Sequence, residues 1–211
     1  MKNIFLIGDS IRLGYDAHVR NLLLGKANVF YPQDNCRFAQ YTHRHLGDWR
    51  NQLRLPKIDI IHWNNGAWDT LHQGCDWECT AGNTMVISGE YGENRFCVDP
   101  ETPPEVYALM IGRVHTRIQQ LFPGAVVIFA TSTPVLESKM KSGFRYNSEI
   151  QQYNQIAREV LAPCGVLIND LHAFAEKNCE NHHADCVHYT EEGSHLLATE
   201  IVDFLENHQL L

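Results

Sequence analysis

Four mainly apolar runs punctuate the chain, and each ends in small or polar residues. Residues 4–7 stop at Gly8-Asp9-Ser10, residues 58–63 at Asn64-Asn65-Gly66, residues 125–130 at Thr131-Ser132-Thr133, and residues 166–168 just before Asp170. Short continuous apolar runs closed by turn formers are expected of strands buried on both faces. Between them the spacing becomes helical. Val19, Leu22 and Leu23 predict a helix over 16–24. Pro103-Pro104 opens one that runs through Leu121 and is stopped by Pro123-Gly124. Asn147 or Ser148 is the expected cap of a helix reaching Leu161, and Leu196, Leu197, Ile201 and Leu205 share one face of a last helix over 191–207. Strands alternating with helices imply right-handed crossovers and a parallel sheet covered on both sides, so the predicted class is α/β, a three-layer α/β/α sandwich. Ligands of such sheets bind beyond the carboxyl ends of the strands, where Ser10, Asn64 and the Thr131-Ser132-Thr133 turn all fall.

One stretch breaks the alternation. Residues 71–102 are rich in Gly, Asn, Thr and Cys and hold no sustained period, which predicts an irregular insertion beside the mouth of the site. The rest reads as one domain spanning 1–211. Cys75, Cys79 and Cys97 lie in that stretch, where a disulfide or a metal site would have to form, but a zinc site normally needs four ligands in recognisable pairs. Seven cysteines in a chain of 211 residues are otherwise expected as buried free thiols.

Composition narrows the partners. A hydrophobic share of 44% and a charged share of 20% are those of a globular chain, which leaves disorder without support. The net charge of -8 and the lack of a dense Lys/Arg run argue against nucleic acid. No apolar run approaches membrane-spanning length and the opening residues are too briefly apolar for a signal peptide, so a cytoplasmic location is expected. The adjacent His182 and His183 are read as solvated loop residues, Arg12 as solvent-facing, Trp63 as core packing and Asp170 as a local cap. No metal or other cofactor is expected.

A serine nucleophile needs a base within hydrogen-bond reach, a group that orients the base, and donors for the oxyanion that forms on attack. Ser10 sits where a strand ends and a helix should follow, which exposes its hydroxyl and turns its own N–H toward the site. Taken alone, Gly-Asp-Ser is an ordinary polar turn or helix cap. Asp185 and His188 stand three residues apart on a loop, a spacing that can set the acid against Nδ1 and leave Nε2 for the serine. Asn64 and Asn65 follow a core strand, where a side-chain amide can reach the same place as an oxyanion donor. The order of the three, serine after the first strand, asparagine after a middle strand, acid and base before the last helix, favours the catalytic reading over three separate turns.

That combination resembles the SGNH hydrolases, also called GDSL esterases and lipases, over nearly the whole chain. Gly8-Asp9-Ser10-Ile11 matches the first block with Ile for the usual Leu, and Asp185-Cys186-Val187-His188, followed by Tyr189-Thr190 and Gly193, matches the last. Where the family commonly has Gly-x-Asn-Asp, this chain has His62-Trp63-Asn64-Asn65-Gly66-Ala67-Trp68-Asp69, and no second-block glycine is evident. The resemblance implies a flavodoxin-like sheet and a triad of Ser10, Asp185 and His188. It also implies an oxyanion hole from the N–H groups of Ser10 and Arg37 and the Asn64 amide, with Asp9, Asn65 and Trp68 as substrate contacts. The implied reaction is hydrolysis of a small ester, with acetyl groups on a carbohydrate the foremost candidate, and activity should fall once acid protonates His188. A lysophospholipase or acyl-thioesterase with the same triad is the alternative enzyme, and a non-catalytic carbohydrate-binding protein the alternative from another class.

Overall fold

The computed structural model describes residues 1–73, 99–140 and 143–211, and the backbone of two short strands between the first two segments. Five parallel strands form its centre: β1 (Lys2–Ile7), β2 (Ala27–Phe30), β3 (Ile60–Trp63), β7 (Val126–Ala130) and β9 (Leu167–Asn169). Their spatial order is β2-β1-β3-β7-β9. The helices are α1 (Ser10–Leu22), α2 (Ala39–Gln52), α3 (Pro104–Leu121), α4 (Asn147–Leu161), α5 (Leu171–Asn178) and α6 (Glu191–Asn207). Outside the sheet, β4 (His72–Gln73) pairs antiparallel with β8 (Gly143–Phe144), and β5 (Val86–Ser88) pairs with β6 (Arg95–Cys97).

Alternation along the strands divides the core into two layers. Ile4, Leu6, Ile60, Ile128 and Ala130 point to one face and pack with Tyr15, Val19, Leu171, Leu197 and Ile201 of α1, α5 and α6. Phe5, Ile7, Ile61, Trp63 and Phe129 point to the other and pack with Leu46, Trp49, Tyr107, Ile111, Val114 and Tyr153 of α2, α3 and α4. Every one of these side chains is buried, the Ile, Leu, Val and Phe among them each contributing about 1.5–3 kcal/mol relative to exposure. Trp63 is core, as read, with its ring edge-on to Phe129. Because β1 sends one crossover to β2 and β3 lies on its other side, the strand order reverses between β1 and β3, and a crevice opens beyond their carboxyl ends.

Several boundaries differ from expectation. The first helix starts at Ser10, not residue 16, because the Asp9 carboxylate accepts from the Ile11 N–H at 2.9 Å and caps it there. Its apolar period is masked by Arg12, which is fully buried, not solvent-facing. Asn147 does not cap α4. Its amide is hydrogen-bonded at 2.9 Å to both the N–H and the carbonyl of Val135, and Tyr146 occupies the cap. Asp170 does cap α5 and also accepts from Thr131. Cys36 and Cys179 are buried free thiols, whereas Cys164 is exposed. Most of the expected insertion, with Cys75, Cys79 and the Cys97 side chain, lies outside the described residues. Among the described residues, no helix is long and apolar enough to cross a membrane.

Candidate active site

Ser10 is the first residue of α1, delivered to the crevice by the end of β1. In the first turn of a helix its N–H has no intrahelical acceptor. His188 arrives from the opposite end of the chain on the loop before α6, and its Nε2 lies 2.8 Å from Ser10 Oγ. Its Nδ1 is 2.7 Å from Asp185 Oδ2. The other carboxylate oxygen, Oδ1, accepts from the Val187 and His188 N–H groups, each at 2.7 Å. Burial would raise the Asp185 pKa, but these two N–H donors and the imidazole outweigh it and hold the carboxyl down at about 2.

The loop that carries His188 is fixed at several points. Ala184 N–H donates to the His188 carbonyl at 2.8 Å, Leu136 N–H to Cys186 at 2.8 Å, and Thr190 N–H to His182 at 2.7 Å. Thr190 then caps α6 by accepting from Gly193 at 3.2 Å. Gly193 must be a glycine here, since a Cβ would lie 2.8 Å from His182 Cβ and 2.9 Å from its carbonyl oxygen. His182 and His183 are correspondingly part of the fold and not free in solvent: both are partly buried, and His183 packs on Tyr189 with ring centroids 4.4 Å apart. Among the described residues, no group of three His, Cys, Asp or Glu side chains is arranged to hold a metal.

Ser10 and His188 open onto a cleft of about 270 Å³ whose walls include Asn35, Ala67, Trp68, Arg145 and Val187. Trp68 is therefore where a substrate contact was expected. Asp9 borders the cleft too, yet it is buried, its Oδ1 occupied in capping α1 and its Oδ2 without a partner among the described residues. Burial pushes its pKa up, against the pull of the Ile11 N–H, Arg145 and Arg12.

Three expected positions are engaged elsewhere. The Arg37 N–H, expected in the oxyanion hole, donates to Asn35 Oδ1 at 2.9 Å, and Arg37 adopts a left-handed φ of 48°. The Asn64 amide donates to the Ala130 carbonyl at 2.7 Å and Ser132 Oγ at 3.3 Å, tying β3 to β7. Asn65, expected to touch substrate, is fully buried; its amide donates to the Arg37 carbonyl and Thr42 Oγ1, and its Oδ1 accepts from the Trp63 indole at 2.7 Å. Sequence reasoning missed Arg145 as a cleft residue. It lies 135 residues from Ser10, and only the tertiary fold brings the two together. Asn35 was not singled out either. With Oδ1 held by Arg37 N–H, the Asn35 Nδ2 has no acceptor among the described residues and stands at the cleft wall with two protons to donate.

No protein-family model matches the sequence, and no curated protein matches it. In three dimensions the chain is similar to a lipase/acylhydrolase from Enterococcus faecalis, with 18% identity over 99% of this chain and 97% of that one and a TM-score of 0.66. It is similar to a member of the lipolytic G-D-S-L family from Veillonella parvula DSM 2008, with 16% identity, coverage of 98% and 99%, and a TM-score of 0.61. It is also similar to Est24, a carbohydrate acetylesterase from Sinorhizobium meliloti, with 11% identity, coverage of 99% and 100%, and a TM-score of 0.62. The chain has the three-layer α/β/α fold of the SGNH hydrolases.

Proposed function

We propose that this protein is a serine-dependent carboxylic ester hydrolase acting on short acyl groups. The observation that carries the reading is the hydrogen-bonded relay from Ser10 Oγ through the His188 imidazole to Asp185, at 2.8 Å and 2.7 Å. In the first step Ser10 Oγ attacks the ester carbonyl and His188 Nε2 takes its proton, while the ionised Asp185 stabilises the imidazolium and fixes its tautomer. The alcohol leaves with the proton returned by His188. Water, deprotonated by the same nitrogen, then releases the acid from the acyl-enzyme. The oxyanion of each tetrahedral intermediate is bound by the Ser10 N–H and the Asn35 amide. The Asn64 amide would have to leave Ala130 and Ser132 to take part.

A cleft of about 270 Å³ has room for a small acyl group beside Ser10, which fits the reading. The likeness to a carbohydrate acetylesterase supports a sugar as the alcohol part. The test is hydrolysis of 4-nitrophenyl esters from acetate to long acyl chains by the wild type and Ser10→Ala. Rates highest on acetate and abolished by Ser10→Ala are expected. Wild-type rates in the variant would overturn the nucleophile, and a maximum on long chains would overturn the acyl preference in favour of a lysophospholipase or thioesterase.

A further inference from the structure

Among the described residues two arginines are buried, and they are satisfied very differently. Arg12 has four oxygen acceptors: Asp16 Oδ2 at 2.7 Å and the carbonyls of Pro32, Asp34 and Gly8 at 2.8, 2.5 and 3.4 Å. Arg145, only 9% exposed, has one, the Ala67 carbonyl, which accepts from Nε. Among the described residues its two terminal nitrogens have no hydrogen-bond partner and no carboxylate lies within ion-pair range, and Arg145 lines the cleft of Ser10 and His188. Asp9 and Cys186 are near enough to feel its charge without pairing with it. A cation taken out of water without a partner costs several kcal/mol. Such a cost persists where function uses it, and a guanidinium held by Nε presents its terminal pair as a fork matched to a carboxylate.

We infer that Arg145 is a specificity residue that recognises a carboxylate on the substrate, so that the preferred esters are anionic ones. This rests on the esterase reading. Nε on the Ala67 carbonyl fixes the plane of the fork, and the backbone N–H of Arg145 on Met140 Sδ at 3.2 Å fixes its base. Phe144, on its N-terminal side, is buried in an apolar cluster with Val135, Met140 and Ile150. Arg145 therefore lines the cleft beside the nucleophile from a packed base. A substrate carboxylate there would supply the direct ion pair that Asp9, felt only at a distance, does not make.

The experiment compares 4-nitrophenyl hemisuccinate with 4-nitrophenyl butyrate for a carboxylate on the acyl side, and O-acetylglycolate with methyl acetate for one on the alcohol side. The wild type should favour the anionic ester of at least one pair at least tenfold in kcat/KM. Arg145→Gln should cut that ratio at least tenfold, mainly through KM, and Arg145→Lys should keep part of it. An unchanged ratio in Arg145→Gln, or no preference in the wild type, overturns the inference. Titration of Ser10→Ala with glutarate and with glutaramide needs neither turnover nor an Arg145 variant, and tighter binding of glutarate is expected. Equal binding defeats the anion site. A glutarate preference with no turnover of any ester by the wild type upholds it and defeats the esterase reading instead.

Discussion

Asp185 illustrates how one side chain is tuned by its own loop. Two N–H donors and an imidazole overcome the effect of burial and keep its carboxyl at about 2, so it remains ionised at any pH where His188 could act as a base. Asp185→Asn keeps the shape but removes the charge and allows the wrong imidazole tautomer; kcat on 4-nitrophenyl acetate should fall on the order of 10³- to 10⁴-fold. A loss below tenfold would mean that Asp185 only braces the loop. The two candidate asparagines separate by the same kind of reasoning. Asn35 has amide protons at the cleft without an acceptor among the described residues, so Asn35→Ala should lower kcat about 10²- to 10³-fold. Asn64 joins β3 to β7, so Asn64→Ala should act chiefly on stability, lowering it by about 1–3 kcal/mol in urea unfolding. The reverse pattern, kcat lost in Asn64→Ala and kept in Asn35→Ala, would return the oxyanion role to Asn64.

At the scale of elements, Arg12 fastens α1 to the loop that follows β2, and that loop carries Asn35 into the cleft. Arg12→Ala would leave the Asp16 carboxylate and the Pro32 and Asp34 carbonyls without their donor. A loss of about 3–5 kcal/mol in urea unfolding is expected, and a loss below about 1 kcal/mol would show that water replaces the guanidinium without penalty. Gly66 does comparable work between β3 and α3. Its φ is 147°, and a Cβ there would sit 2.5 Å from Ser132 Oγ, so Gly66→Ala should be destabilising beyond the ordinary cost of a surface change. These joints also explain what the sequence could not tell. The strands β1, β3 and β7 were legible because they are buried on both faces, and β9, though at an edge with Leu167 and Ile168 partly exposed, because its run is still apolar. β2, at the edge, shows only a mixed Ala-Asn-Val-Phe, and α2, Ala-Gln-Tyr-Thr-His-Arg-His-Leu-Gly-Asp-Trp-Arg-Asn-Gln, buries too few apolar residues to display a period. Ser10, Asp185 and His188 were legible as a spaced pattern. Arg145 was not, because its burial and its lack of an ion pair among the described residues exist only in the fold, and the hydrogen bonds that engage Arg37 and Asn65 were equally invisible in the sequence.

Across the whole molecule, two deeply buried groups oppose each other in pH. Asp69, after β3, accepts from the Ala39 N–H at 3.1 Å and so helps start α2, which has no side-chain cap of its own. Burial raises its pKa from 3.8 to about 7 despite the Ala39 N–H and Thr102, with the negative charge of Asp9 adding to the rise. Between those values the folded chain holds a proton that the unfolded chain releases, so this group makes stability fall as pH rises. His62 in β3 is the opposite case. Burial lowers it from 6.5 to about 4, and between those values the unfolded chain binds the extra proton, so stability rises with pH. His43, His115 and His183, also lowered first by burial, act in the same direction as His62, while Asp9 and Asp16, raised by burial, act with Asp69. The wild type should consequently show a muted pH dependence between about pH 4 and 6.5. Asp69→Asn can still accept from Ala39 but cannot ionise, which removes one falling contribution. Urea unfolding across that window should give a variant whose stability climbs with pH more steeply than the wild type, by about 1 kcal/mol per pH unit. Parallel curves for the two proteins would mean that Asp69 ionises as readily in the folded chain as in the unfolded one, and that the balance at the sheet's carboxyl end is struck by other groups.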